Sequence, residues 1–81
     1  MKVWINGEFY DRDHAMTSVF DAGYQHGVGL FETMQARGNR VFRLDDHLRR
    51  IHDSAQELGL TERLQEQPLA EAVQRTVEEN S

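Results

Sequence analysis

Arg50 is the residue of this 81-residue chain whose type and setting point most directly to chemistry. At about 100° per residue, Arg43, His47, Arg50 and Ser54 fall along one flank of an apolar stripe made by Leu44, Leu48, Ile51, Ala55 and Leu58. A guanidinium in that seam can snorkel, pair with a carboxylate, or grip a phosphate through two parallel hydrogen bonds. Helical spacing alone leaves all three open, and Arg43 and Arg49 stand no worse. Glu32 falls among apolar neighbours, where an unpartnered charge would be costly. It reads as a partner-bonded structural carboxylate ahead of a catalytic acid. His26-Gly27-Val28-Gly29 lacks the third glycine of a dinucleotide fingerprint and leads into a strand instead of opening a helix. It reads as a loop that needs unusual φ angles or close backbone approach, which is also a usual place for a site. His14, His26, His47 and His52 show no metal-ligand spacing, so no metal is expected. The aspartates are too scattered to define a carboxylate pair, and no Ser/His/Asp arrangement follows from spacing.

The elements that would position these residues can be read in order. Val3-Trp4-Ile5 and Glu8-Phe9-Tyr10 flank Asn6-Gly7, a dipeptide that supplies the positive φ angles of a type I′ turn and predicts a hairpin. Residues 11–18 read as irregular, and Phe20-Asp21-Ala22-Gly23 as the entry to the glycine loop. A strand is expected from Leu30 to the turn at Gly38-Asn39. Its alternation places Leu30, Glu32, Met34 and Ala36 toward the core, and Phe31, Thr33, Gln35 and Arg37 toward a half-open cavity. Arg40-Val41-Phe42-Arg43 is the expected partner strand. The helix carrying Arg50 follows, with Asp45 as its expected N-cap, Gly59 as its left-handed terminator and Leu60 packed back on Ala55. A second helix is expected to begin near Pro68, with Leu69, Ala72, Val73, Thr76 and Val77 on its apolar side. The chain then runs out at Glu78-Glu79-Asn80-Ser81 with no evident closing element. Four short antiparallel strands in two hairpins, followed by two helices, make a small α+β domain.

Composition narrows the classes of function. A net charge of −5 argues against nucleic acid as the main partner, because neutralising phosphates needs a basic surface. There is no cysteine, hence no disulfide framework, thiolate metal site or thiol nucleophile. No apolar run has the length of a signal peptide core or a membrane span, which sets the expectation of a soluble, cytoplasmic domain.

Taken together, three stretches resemble the start of the class IV aminotransferases, the fold-type IV pyridoxal-phosphate enzymes. They are Trp4-Ile5-Asn6-Gly7-Glu8, then Asp21-x-Gly23-x-x-x-Gly27-x-Gly29-x-Phe31-Glu32-Thr33, then Phe42-Arg43-Leu44-x-x-His47-Leu48-x-Arg50-Ile51-x-x-Ser54-Ala55. That family includes branched-chain and D-amino acid aminotransferases, R-selective amine transaminases and aminodeoxychorismate lyase. The resemblance implies pyridoxal 5'-phosphate as cofactor in the complete enzyme, with Arg50, the arginine of the His-x-x-Arg motif, reaching its phosphate. It also implies that His26, Phe31, Thr33 and Gln35 line the substrate pocket and that the protein is a homodimer. Phe31 stands where D-amino acid enzymes tend to have tyrosine, and Gln35 where many branched-chain enzymes have arginine. Thr33 is also seen in lyase-like members, so the substrate stays open.

In this family the lysine that bonds to the cofactor belongs to a large C-terminal domain, as does the acidic partner of the pyridine nitrogen. The only lysine here is Lys2, ahead of the first strand. The expectation is therefore a partial N-terminal small domain, residues 1–81, with no catalytic residue of its own and no activity alone. The remainder of the polypeptide would complete an enzyme that passes an amino group between an amino donor and a 2-oxo acid. Two alternatives are a carbon–carbon lyase of the aminodeoxychorismate type and a stand-alone binding or dimerisation remnant.

Overall fold

The computed structural model describes residues 1–27, 29–60 and 64–80, the side chains of Ala22 and Tyr24 aside. Val28 of the glycine loop and Ser81 lie outside the described residues. Strands β1 (Lys2–Ile5) and β2 (Glu8–Asp11) pair antiparallel with Ile5 opposite Glu8. Asn6 and Gly7 both have positive φ, +50° and +97°, as a type I′ turn requires. Arg12 N–H donates to the Met1 carbonyl at 3.0 Å. With that bond made one position further out, the N–H and C=O of Lys2 point away from β2.

Asn80 occupies this outer edge. Lys2 N–H donates to Asn80 Oδ1 at 2.7 Å, while Asn80 Nδ2 donates to the Lys2 carbonyl at 2.9 Å and the Thr76 carbonyl at 2.8 Å. The sequence suggested no closing element for the last helix. Asn80 is that element, because an amide carries both the donor and the acceptor that an open strand edge lacks.

Between Phe20 and Gly27 the chain forms a short helix, α1 (Ala22–His26), where a loop was expected. The Asp21 carboxylate accepts from Gly23 N–H at 2.7 Å to start it, and Gly27 at φ +67° ends it. The strand expected over residues 30–37 shrinks to β3 (Ala36–Arg37), paired with β4 (Arg40–Val41). One further bond, Phe42 N–H to the Gln35 carbonyl at 2.8 Å, extends the pairing. The ladder ends there because Arg43 takes a left-handed conformation, φ +55°, and swings the chain into the next helix. Alternation survives without the ladder. Glu32 and Met34 are half-buried, while Phe31, Thr33 and Gln35 are exposed; Leu30 and Ala36, assigned to the core side, are exposed as well.

Helix α2 (Leu44–Glu57) starts from Arg43, with no side chain capping it. Asp45 is not the N-cap. The reversal at Arg43 fixes the start two residues earlier and leaves Asp45 and Asp46 in the first turn, where carboxylates meet the positive end of the helix dipole. The far end closes as expected: Gly59 has φ +73°, Leu60 N–H bonds the Ala55 carbonyl at 2.7 Å and Gly59 N–H the Gln56 carbonyl at 3.1 Å. Leu60 returns to Ala55 through its backbone, and the residue stays 41% exposed.

Helix α3 (Glu66–Glu79) begins two residues before Pro68, which sits in the first turn where its missing N–H is no loss. Ala72 is buried and Leu69, Val73, Thr76 and Val77 are half-buried, as the apolar spacing requires. Leu48, Ala55 and Ala72 form the buried core where α2 meets α3. Both hairpins lean on α3, Trp4 from the first and Val41 from the second lining one apolar seam against it. The architecture is α+β: two separate two-stranded antiparallel sheets beside two long helices. No helix among the described residues is long and apolar enough to cross a membrane.

Candidate functional site

The helical phase of α2 sets His47 and Arg50 one turn apart on the same flank, and Glu32 reaches that flank from the chain leading to β3. Arg50 Nε donates to Glu32 Oε2 at 2.9 Å and Arg50 Nη2 to Oε1 at 2.6 Å, a bidentate pair. His47 Nδ1 lies 2.6 Å from the same Oε1. Exposure falls inward along the cluster, from 66% for the Arg50 side chain to 20% for His47 and 11% for Glu32.

These contacts assign the protons. Hydrogen bonding from Arg50, then from His47, holds the Glu32 carboxyl at a pKa of about 2, and the partial burial that opposes this is outweighed. Glu32 is therefore an acceptor only, and a nitrogen 2.6 Å from it must carry the proton, so His47 donates from Nδ1. The 3.3 Å approach of Arg50 Nη2 to that nitrogen is then two donors sharing one acceptor. Glu32 is the partnered carboxylate that its sequence setting favoured. An anion with both oxygens engaged and so low a pKa is a poor proton donor at neutral pH.

Arg50 lies on the seam where helical spacing placed it, and its first partner is a carboxylate. Two of its N–H donors go to Glu32, and the rest of the guanidinium is open to solvent. His26, Phe31, Thr33 and Gln35 are all exposed, the last three alternating with the inward-turned Glu32. No bond among the described residues ties any of these four to Arg50. Gln35 instead lines a cleft with Arg37, Arg40 and Arg43, a grouping that sequence reasoning passed over because it arises across the β3–β4 register. The Glu32–Arg50 pair was missed for a related reason. Each residue was placed on its own face, but no periodicity says which strand face docks on which helix flank.

Lys2 is spoken for at the other end of the molecule. Its Nζ donates to Asp11 Oδ1 at 2.8 Å, a bond that raises the ammonium pKa. A lysine nucleophile needs the opposite shift.

An α+β domain whose first long helix carries an arginine on its polar seam is what the sequence anticipated; the Glu32 brace was not anticipated. A family model described as amino-transferase class IV matches residues 29–81, the portion that holds Glu32, His47, Arg50 and both long helices. The chain belongs to this family. It is 37% identical over all 81 residues to a putative branched-chain-amino-acid aminotransferase of Methanocaldococcus jannaschii. It is 38% identical over 80 residues to a D-alanine aminotransferase of Staphylococcus epidermidis. Over 74 residues it is 34% identical to branched-chain-amino-acid aminotransferase-like protein 2 of Arabidopsis thaliana. The chain spans 28% of the length of the first two relatives and 13% of the third.

Proposed function

We propose that this chain is the N-terminal segment, a partial small domain, of a pyridoxal-phosphate-dependent transaminase that exchanges an amino group between an amino acid or amine and a 2-oxo acid. The carrying observation is the braced exposure of Arg50: Glu32 fixes the guanidinium plane through two bonds and leaves the remaining donors accessible. That donor set suits one side of a phosphate. Further donors for the dianion, the lysine bonded to the cofactor and the acid facing its pyridine nitrogen belong to the rest of the polypeptide.

The bound cofactor supplies the electron sink for the carbanion chemistry. Within this segment Arg50 grips the phosphate and Glu32 keeps Arg50 from swinging away. His47, donating from Nδ1, holds Glu32 in place in turn. Phe31, Thr33, Gln35 and His26 shape the substrate side, and none of them moves a proton. Lys2, tied to Asp11, takes no part, so the 81-residue chain alone is inactive. The complete enzyme acts as a cytoplasmic homodimer.

The test is cofactor retention in the full polypeptide, read from the cofactor's absorbance after dialysis. Arg50→Ala should weaken retention about 30-fold, the scale of a lost charged hydrogen bond. Arg49→Ala, about 100° further round the helix, should leave retention unchanged. Equal effects of the two changes would remove the phosphate assignment.

A further inference from the structure

The second hairpin gathers positive charge without the carboxylates to balance it. In register, Arg37 stands directly opposite Arg40, an arrangement that destabilises a strand pair when the charges are alike. The chain carries 14 acidic residues, yet among the described residues neither Arg37 nor Arg40 has an ion-pair partner. Arg43 adds a third guanidinium from the turn into α2. Asp46 holds its Nε at 3.0 Å, which leaves both terminal nitrogens uncommitted. Arg43 also keeps a left-handed backbone, a costly conformation for a residue with a side chain and one that tends to persist where geometry serves a purpose.

These three arginines line a cleft of about 460 Å³, completed by Gln35, Val41 and Phe42. The cleft stands on a fixed base. Gln74 Nε2 donates to the Asn39 carbonyl and ties the hairpin tip to α3, while Phe42 N–H is bonded to the Gln35 carbonyl. Arg50 belongs elsewhere, paired with Glu32 and lining a different cleft with Arg49 and Asp53.

We propose that the β3–β4 cleft is a binding site for a small multivalent oxyanion, a phosphate or a di- or tricarboxylate, gripped by Arg37, Arg40 and Arg43. Guanidinium forks match the paired oxygens of both groups, and an added anion relieves the Arg37–Arg40 repulsion that the fold otherwise carries. A cleft of about 460 Å³ has room for a small ligand. The site borders the proposed substrate pocket at Gln35, and its grip comes from three arginines outside that set.

The experiment titrates the full polypeptide at low ionic strength with sodium phosphate and, separately, with sodium citrate, following backbone amide shifts. The expected result is saturable shifts at Gly38, Asn39 and Arg40. Arg37→Gln combined with Arg40→Gln should weaken binding about tenfold. The corresponding double lysine change should restore part of it, because charge returns without the fork. Binding should survive Arg50→Ala. Saturation by phosphate alone or citrate alone supports the site and names the ligand class. Shifts that sodium chloride reproduces, that ignore the double glutamine change, or that vanish with Arg50→Ala overturn the proposal. The last outcome would move the anion to the cofactor-phosphate position and leave the proposed function standing. Both hairpin arginines are exposed, so unchanged shift dispersion elsewhere would verify that the variant is folded.

Discussion

The two hairpins are built alike and held differently. Each pairs antiparallel strands across a two-residue turn of asparagine and glycine. In the first, asparagine precedes glycine and both have positive φ; in the second, glycine comes first and only Gly38 does, at +57°. The first has four opposed pairs, Trp4–Phe9 among them, and it packs Val3 and Trp4 toward α3. Arg75 adds a cation–π contact, its guanidinium 5.2 Å from the Phe9 ring centre. The second has two opposed pairs, one of them arginine against arginine. Its lead-in is held by ions and hydrogen bonds, from Glu32 to α2 and from Gln74 to the turn. Apolar burial secures one hairpin and polar ties secure much of the other, so pH and salt should tell them apart where size alone would not.

The largest expected effect is Trp4→Ala, which should destabilise the full polypeptide by about 3 kcal/mol in denaturant unfolding, since it removes the main apolar anchor of the first hairpin. Val41→Ala, the matching deletion in the second, should lose roughly 1 kcal/mol. Acid comes next. The Glu32 carboxyl is lowered from 4.5 to about 2, so the stability it contributes is present above about pH 4.5 and is lost as pH falls toward 2. Hydrogen exchange across that window should show the bonded amides of β3 and β4 and that of Phe42 losing protection before those of β1 and β2 do. Glu32→Gln should abolish the difference, whereas two hairpins opening together in the wild type would contradict the polar account. The smallest effect has the opposite sign. Arg37→Gln should raise second-hairpin protection by roughly 0.3 kcal/mol at low salt, and about 1 M salt should erase the gain.

Much of this was legible because the signals are local. Asn6-Gly7 dictated the first turn, the apolar steps from Leu44 to Ala55 dictated α2, and Gly59 dictated its end. Family membership was carried by residues spread over the same elements, Arg50 among them. What sequence reasoning missed depended on neighbours or on competing local signals. The strand from Leu30 needed a partner as long as itself, and Arg43 turned that partner away after Phe42. Asp45 had the chemistry of an N-cap, but the direction from which the chain arrives gave that position to Arg43. The short α1 was within reach, since Asp21 and Gly27 are ordinary helix caps, but the glycines between 23 and 29 read more loudly as a loop. The site was legible residue by residue and illegible as an assembly. Glu32, His47 and Arg50 meet only because a chain segment 15 to 18 residues away docks on α2.

The Asn80 clasp has a consequence in time. Its bonds to Lys2 join groups 78 positions apart, so closing it early would confine every residue between them for little return. It should form after the helices and hairpins are in place and be absent from the folding transition state. Asn80→Ala should therefore leave the refolding rate nearly unchanged and speed unfolding by about fivefold, the share of a loss near 1 kcal/mol that falls on that step. A side chain that contributes little to reaching the fold would thus govern how long the fold, once reached, stays shut.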